Sequence, residues 1–327
     1  MRYSHRFFLY APVAALLLLG LAASLYWLSA YQRFTTALSR LNGQDVVPGV
    51  RLSYEKVETG GFPFRLDAVL RNVRLQLQTS HGPMSWTSQH FALHSLDYGD
   101  MHILLEAAGR QQLSWYDRNG TRHRLDFTPG LLRASVLGDH NVVRRIDVEL
   151  YDARTQLFRV VHAEFHLRKD PRRNALDLVL MADRLRLHGK STAAPADHVI
   201  RFRLDGLITP ATSWHGLLAG EASWRQTAAA FRAASGRLDI QHLRLAWRSA
   251  QAQGDGVLSL DDAARPQGIL NFAVRGQPAA AGERARGLLS ELLATASSAA
   301  HPGVRIAFKD GVSYLNASPV GLVAPLF

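Results

Sequence analysis

The chain contains no cysteine. Disulfides, thiolate catalysis and thiolate-bound zinc are therefore excluded. Lysine is scarce as well: only Lys56, Lys169, Lys190 and Lys309 stand among the 38 Lys and Arg residues. The motifs of common enzyme chemistry are missing. No Gly-x-Ser-x-Gly elbow occurs to expose a nucleophilic serine, and no Gly-x4-Gly-Lys-Ser/Thr loop to cradle a phosphate. Gly254-Asp-Gly256 lacks the third glycine of a dinucleotide fingerprint and reads as a turn pair. Asp261-Asp262, in a Pro-flanked loop, reads as solvated acids rather than a catalytic dyad. No basic run is interleaved with aromatics in the manner of RNA-binding surfaces. No catalytic residue, cofactor or nucleic-acid partner is expected.

The 14 histidines invite a metal reading. His90/His94 and His162/His166 share a four-residue spacing, but both pairs fall in strand-like stretches. There the two rings point the same way about 13 Å apart, too far for one ion. His162-Ala-Glu-Phe-His166 also places its Glu wrongly for a His-Glu-x-x-His zinc site. No metal site is expected.

What the chain does have is a long apolar run. Residues 7–31, FFLYAPVAALLLLGLAASLYWLSAY, carry no charge. A bilayer core asks a helix for ~20 apolar residues. Tyr10 stands near one end and Tyr26, Trp27 and Tyr31 near the other, as interfacial aromatics do. A retained anchor is the expectation. A cleaved signal peptide is the alternative, with Gly20-Leu21-Ala22 as its small-x-small site inside the run. The short N-terminal flank favours export of the remainder, and the lack of cysteine agrees with this. The formal charge is +11, and residues 33–327 carry +9 of it. That balance suits anionic headgroups or a phosphate-bearing glycolipid, and equally an arginine-rich set of solvated strand faces.

After the run, Phe34, Ala37, Leu38 and Leu41 keep helical spacing until Asn42-Gly43. The chain then alternates apolar and polar residues in one segment after another. Strands are predicted at 50–57, 66–78 (slipping by one residue at Asn72), 85–96, 101–107, 112–116, 122–127, 133–136, 142–151, 156–167, 175–188 and 199–207. A meander is predicted at 236–247, 253–260 and 268–275, and a hairpin at 304–308 and 312–315, followed by an apolar tail, Val320–Phe327. Two helices interrupt the pattern. Ala211–Ala234, capped by Thr212 or Ser213, is broken by Gly216 and Gly220, while Glu283–Ala300 is the more regular.

The fold class expected is mainly β with a few helices (α+β). An anchor over residues 1–44 precedes one β-rich domain over 45–327, with a subdivision near 208–235. One-sided strands must bury their apolar faces. A sandwich or closed barrel does so against itself. A curved open sheet does so against a ligand, and Leu66, Leu70, Leu75, Leu77, Leu238, Ile240, Leu245 and Trp247 are its candidate groove residues.

The corner Gly60-Gly61-Phe62-Pro63-Phe64-Arg65, shortly after the anchor, resembles the signature of the bacterial family catalogued as domain of unknown function 2125. Asp255–Leu260, Arg265–Arg275, Phe308–Val312 and Ser318–Gly321 extend the resemblance. More distantly the chain resembles AsmA-like envelope proteins. That resemblance implies an inner-membrane anchor, a periplasmic β-rich body with an apolar groove, and a role in envelope lipid homeostasis or transport. It assigns no catalytic residue. Expected partners are the membrane, a lipid or glycolipid, and envelope proteins. A scaffold within an envelope complex is the alternative role.

Overall fold

The computed structural model describes residues 5–63, 65–79, 81–96, 100–117, 119–187, 199–247, 250–275 and 303–325. A single helix, α1 (His5–Leu41), runs without interruption through the apolar segment and past it. Asn42-Gly43 ends it, with Gly43 at φ 79°. By length and composition α1 can cross a membrane.

Among the described residues the strands form one eighteen-stranded antiparallel open sheet, mostly a meander, except that β2 and β3 both pair with β4, and β7 and β8 both pair with β6. Its first part comprises β1 (Asp45–Val47), β2 (Val50–Ser53), β3 (Lys56–Gly60), β4 (Arg65–Thr79), β5 (Gly82–Leu96) and β6 (His102–Tyr116). The middle comprises β7 (Arg122–Phe127), β8 (Leu131–Asp139), β9 (Val142–Arg154), β10 (Phe158–Lys169), β11 (Leu176–Leu187) and β12 (Ile200–Thr209). The last part comprises β13 (Arg237–Trp247), β14 (Ala250–Leu260), β15 (Pro266–Arg275), β16 (Gly303–Lys309), β17 (Val312–Leu315) and β18 (Ser318–Leu322).

The sheet departs from simple alternation where a backbone special intervenes. At Asn72, φ 52°, the apolar alternation of β4 slips by one residue while the ladders on both sides keep their register, so no extra residue is inserted. Opposite it the segment read as one strand, 50–57, breaks into β2 and β3, which pair with the two halves of β4. Glu55 bridges the break: its amide donates to the Arg71 carbonyl, and its carboxylate accepts from the Asn72 side chain. The two strands expected at 101–107 and 112–116 are one strand, β6. Gly109, at φ 74°, shifts the register without ending the ladder. Gly254 and Gly256 do not form a turn. They lie inside β14, where a β-carbon would overlap the Asn271 and Ile269 carbonyls of β15. Glycine there lets two backbones approach and the sheet curl.

The segment linking β12 to β13 is helical but broken. A 3-10 turn (Ala211–Trp214) leads into α2 (His215–Leu218), and Gly220 at φ 73° separates this from α3 (Trp224–Ala233). Neither Thr212 nor Ser213 caps it. Ser223 caps α3 in a capping box: its hydroxyl accepts from the Gln226 amide, and the Gln226 side chain accepts from the Ser223 amide. The tail is partly ordered into β18, which pairs with β17. The helix expected at Glu283–Ala300 lies outside the described residues, as does Phe64.

Three apolar clusters hold the fold, all on one face of the sheet. Leu38 of α1 joins Ala68, Leu70 and Val73 of β4. Leu218 and Phe231, from α2 and α3, cover Leu167, Leu176 and Ile208 of β10–β12. Phe272, Val304, Ile306 and Leu315 pack together in the curled last strands. The β1–β2 turn lies against the start of α3: Gly49 faces Ser223, and Val47 faces Gly220.

Replacing Gly256 by alanine forces β14 and β15 apart. A loss of ~1–3 kcal/mol, in the range of overpacked cores, is expected by chemical denaturation. Gly303→Ala, where the nearest atom to a new β-carbon stands 3.7 Å away, should be close to neutral.

Candidate functional site: an apolar sheet face tied to the anchor

Residues directly opposed across a ladder share a face, so the register traces which side chains lie side by side. One row begins at Ala68 of β4 and passes through Leu93, Leu105, Ala134, Val148 and Phe165. It continues through Leu180, Leu204, Leu243, Gly254, Phe272 and Val304 of β16. A parallel row starts at Leu70 and includes Phe91, Ala107, Leu132, Leu150, Ala163, Ala182, Phe202 and Leu245. No charged residue interrupts either. At ~4.8 Å per strand, the stripe runs on the order of 50 Å along the curve of the sheet.

Among the described residues the ends of this stripe are covered and its middle only in part, where Phe165 packs against the cluster under α2 and α3. Ala68 is 0% exposed and Val304 2%. Between them Leu93, Leu105, Val148, Phe165 and Leu204 are only half-buried, and Leu180 is 39% exposed. A closed, dry core would bury all of these.

The sequence-based groove residues lie on this face but split between its parts. Leu66, Leu70 and Ile240 are buried, while Leu75, Leu77, Leu238, Leu245 and Trp247 are half-buried. Leu70 belongs to the cluster under α1, and Leu245 packs on the C-terminal cluster. Leu238 packs below α3. The uncovered middle, from Leu105 to Leu204, was missed. Its signal was present in part: Ala134, Val148, Phe165 and Leu204 alternate with polar neighbours, whereas Leu180 sits between Val179 and Met181.

The anchor is fastened to one end of this face by specific contacts. Trp27 Nε1 donates to the Arg65 carbonyl at 3.0 Å, and the Tyr31 hydroxyl meets Thr59 Oγ1 at 2.7 Å. Trp27 stacks on Tyr31 and takes the Phe62 ring edge-on at 5.1 Å. Two turns further, the Tyr54 hydroxyl donates to the Leu38 carbonyl at 2.9 Å. Asn42 exchanges two hydrogen bonds with the backbone of Tyr54. Burying Leu38, 5% exposed, contributes ~1.5–3 kcal/mol.

The Gly60–Arg65 corner is therefore where the helix docks. The Arg65 amide donates to the Gly61 carbonyl, and Gly61 has φ 108°. A β-carbon at Gly61 would overlap the Arg65 carbonyl, the same atom that Trp27 grips. Pro63 follows a cis peptide bond. Phe62 is left 60% exposed beside Trp27.

The opposite face is polar and self-neutralised. Its histidines have found carboxylates on neighbouring strands. His94 Nδ1 lies 2.7 Å from Asp67, and His166 Nδ1 lies 2.6 Å from Asp147. Glu164 lies between His162 and His166, at 2.9 and 3.0 Å from their Nε2 atoms. Among the described residues no group of three or more His, Asp or Glu is arranged to hold a metal ion. Glu164 and then Asp147 raise the His166 imidazole above its ordinary 6.5. Burial pushes the Asp147 carboxyl up, but hydrogen bonds from His166 and Arg145 outweigh it and hold it below 3.8. Exposed pairs such as Arg124–Asp126 contribute little to stability.

These shifts fix a pH window. The His166 contribution is complete below about 6.5 and is lost as pH rises through its raised pKa. The Asp147 contribution is complete above about 3.8 and is lost as pH falls through its depressed pKa. The melting temperature should decline on the alkaline side, and His166→Gln should flatten that decline when both proteins are melted between pH 6 and 9.

The model of a bacterial family described as uncharacterised proteins conserved in bacteria, domain of unknown function 2125, matches residues 27–324. The match begins at Trp27, the first residue of the docking contacts, and the chain belongs to this family. No curated protein and no solved structure matches it.

Proposed function

We propose that this family member is a single-pass protein of the bacterial inner membrane with its β-rich body in the periplasm. There it holds lipid, or another apolar envelope component, on the uncovered middle of its sheet, without turnover. The observation that carries this reading is the half-buried row from Leu105 to Leu204, with Leu180 39% exposed among apolar neighbours. Contiguous apolar surface of this extent marks a binding surface on a soluble body. An acyl chain laid along it would be desolvated without needing any polar partner.

The length of the uncharged run, residues 7–31, supports a retained anchor, and the contacts of Trp27, Tyr31 and Leu38 hold the C-terminal part of the helix on the sheet. Docking at the Gly60–Arg65 corner brings one end of the apolar face to the membrane surface. The +9 charge beyond the first 32 residues favours anionic or phosphate-bearing lipids over neutral ones. A scaffold role within an envelope complex is the second reading. It draws on the C-terminal strand β18, where Leu322 is 77% exposed.

Full-length protein extracted in mild detergent should carry lipid detectable by mass spectrometry. Leu180→Arg should lower that lipid severalfold while leaving the melting temperature within a few degrees, since surface substitutions usually cost within ±0.5 kcal/mol. Lipid-free wild-type protein that crosslinks in cells to one defined partner would favour the scaffold.

A further inference from the structure

A discrete cavity of ≈ 220 Å³ lies between α3 and the sheet. Trp224, Thr227, Ala228 and Phe231 form its helical wall, one stripe at i, i+3, i+4 and i+7. Ile208 and Leu238 form part of its floor on the apolar sheet face. Trp224, 42% exposed, stands at its rim. No charged side chain lines it.

Two polar atoms in this lining are buried and have no hydrogen-bond partner: Trp214 Nε1 and Thr227 Oγ1. Thr227 is 2% exposed. Its backbone amide is spent on the Ser223 carbonyl, but its hydroxyl bonds to nothing. An unpaired buried hydroxyl or indole N–H is costly, and such groups are normally satisfied. The indole can only donate, and the hydroxyl can donate. An acceptor oxygen at one end of an otherwise apolar molecule offers each of them the partner it lacks.

We propose that this cavity is a second binding site, for the carbonyl end of an uncharged acyl ester. A carboxylate would be buried with no cation in the lining to pair it. A lone water fills only ~30 Å³ and wants two to four polar partners, so it would leave most of the cavity empty. The cavity is smaller than the ~300 Å³ at which pockets enclose drug-sized ligands, so it takes one end of the molecule. The remaining chain lies along the sheet face that Ile208 and Leu238 share with the uncovered row. In that respect the proposal rests on the apolar-ligand reading above.

The test uses full-length protein in phospholipid nanodiscs doped with a diazirine-bearing fatty-acid methyl ester or the matching diazirine alkane. Adducts are mapped by peptide mass spectrometry. The ester should label the 214–231 segment at a mole fraction roughly tenfold lower than the alkane needs, the worth of one or two net hydrogen bonds. Thr227→Val should reduce the ester to the alkane's level while leaving the alkane curve unchanged and the melting temperature the same or higher. Equal labelling by ester and alkane in wild type overturns the carbonyl site and leaves the two atoms to water. So does an ester preference that survives Thr227→Val combined with Trp214→Phe. Labelling along Leu105, Phe165 and Leu180 without ester preference at 214–231 would sink this site but spare the open-face reading. No labelling anywhere would sink both.

Discussion

A sheet with one apolar face cannot stand alone in water, and every other feature of this molecule answers to that constraint. Each large side chain left uncovered forgoes ~1.5–3 kcal/mol of burial. The chain covers its face in three separate ways. The end of α1 lies on β4, α2 and α3 lie on β9–β13, and the last strands curl on themselves with Gly254 and Gly256 at the contact. The first two touch where the β1–β2 turn lies against Gly220 and Ser223. The stretch between them keeps apolar side chains half in solvent, with Leu180 the most exposed residue of its row. The polar face needs no such cover, because its charges pair across strands, as in Arg133–Glu149 and Arg201–Asp183.

The anchor is part of the same solution. Phe34 and Leu38 complete the first cluster, and Trp27 and Tyr31 tie the helix to the corner that precedes β4. The helix therefore emerges from its apolar span already packed on the sheet, with no flexible linker between them. On the proposed reading this sets one end of the apolar row at the bilayer surface, where Phe62 stands exposed beside Trp27. A lipid would then pass from bilayer to sheet without crossing water.

Much of this was legible in the residues. Alternation located nearly every strand, the slip at Asn72 was visible in the pattern and falls on a left-handed residue, and Gly220 marked the break between α2 and α3. The Gly60–Arg65 corner was recognisable as a turn and a family feature. What it docks was not, because Trp27 reads equally well as an ordinary interfacial aromatic. Glycine misled: Gly254-Asp-Gly256 looked like a turn, and the gap between the strands read at 101–107 and 112–116 holds Gly109, since sequence does not distinguish bending within a ladder from leaving it. The Ser223-x-x-Gln226 capping box was readable and was passed over for Thr212 and Ser213. The carboxylate partners of His94 and His166 come from other strands, so only the register reveals them. Whether the apolar face was open or closed depended on which covers reach which strands, and periodicity carries no such information.

Because the chain has no native cysteine, single-cysteine variants can carry a benzophenone photolabel at any chosen position. The most direct test compares positions 105, 165 and 180 on the apolar face with neighbouring positions 106, 164 and 181 on the polar face, in protein embedded in native membranes. Lipid-mass adducts confined to 105, 165 and 180 are the result expected if the uncovered row holds lipid. Adducts distributed equally over both faces, or none at either, would contradict it.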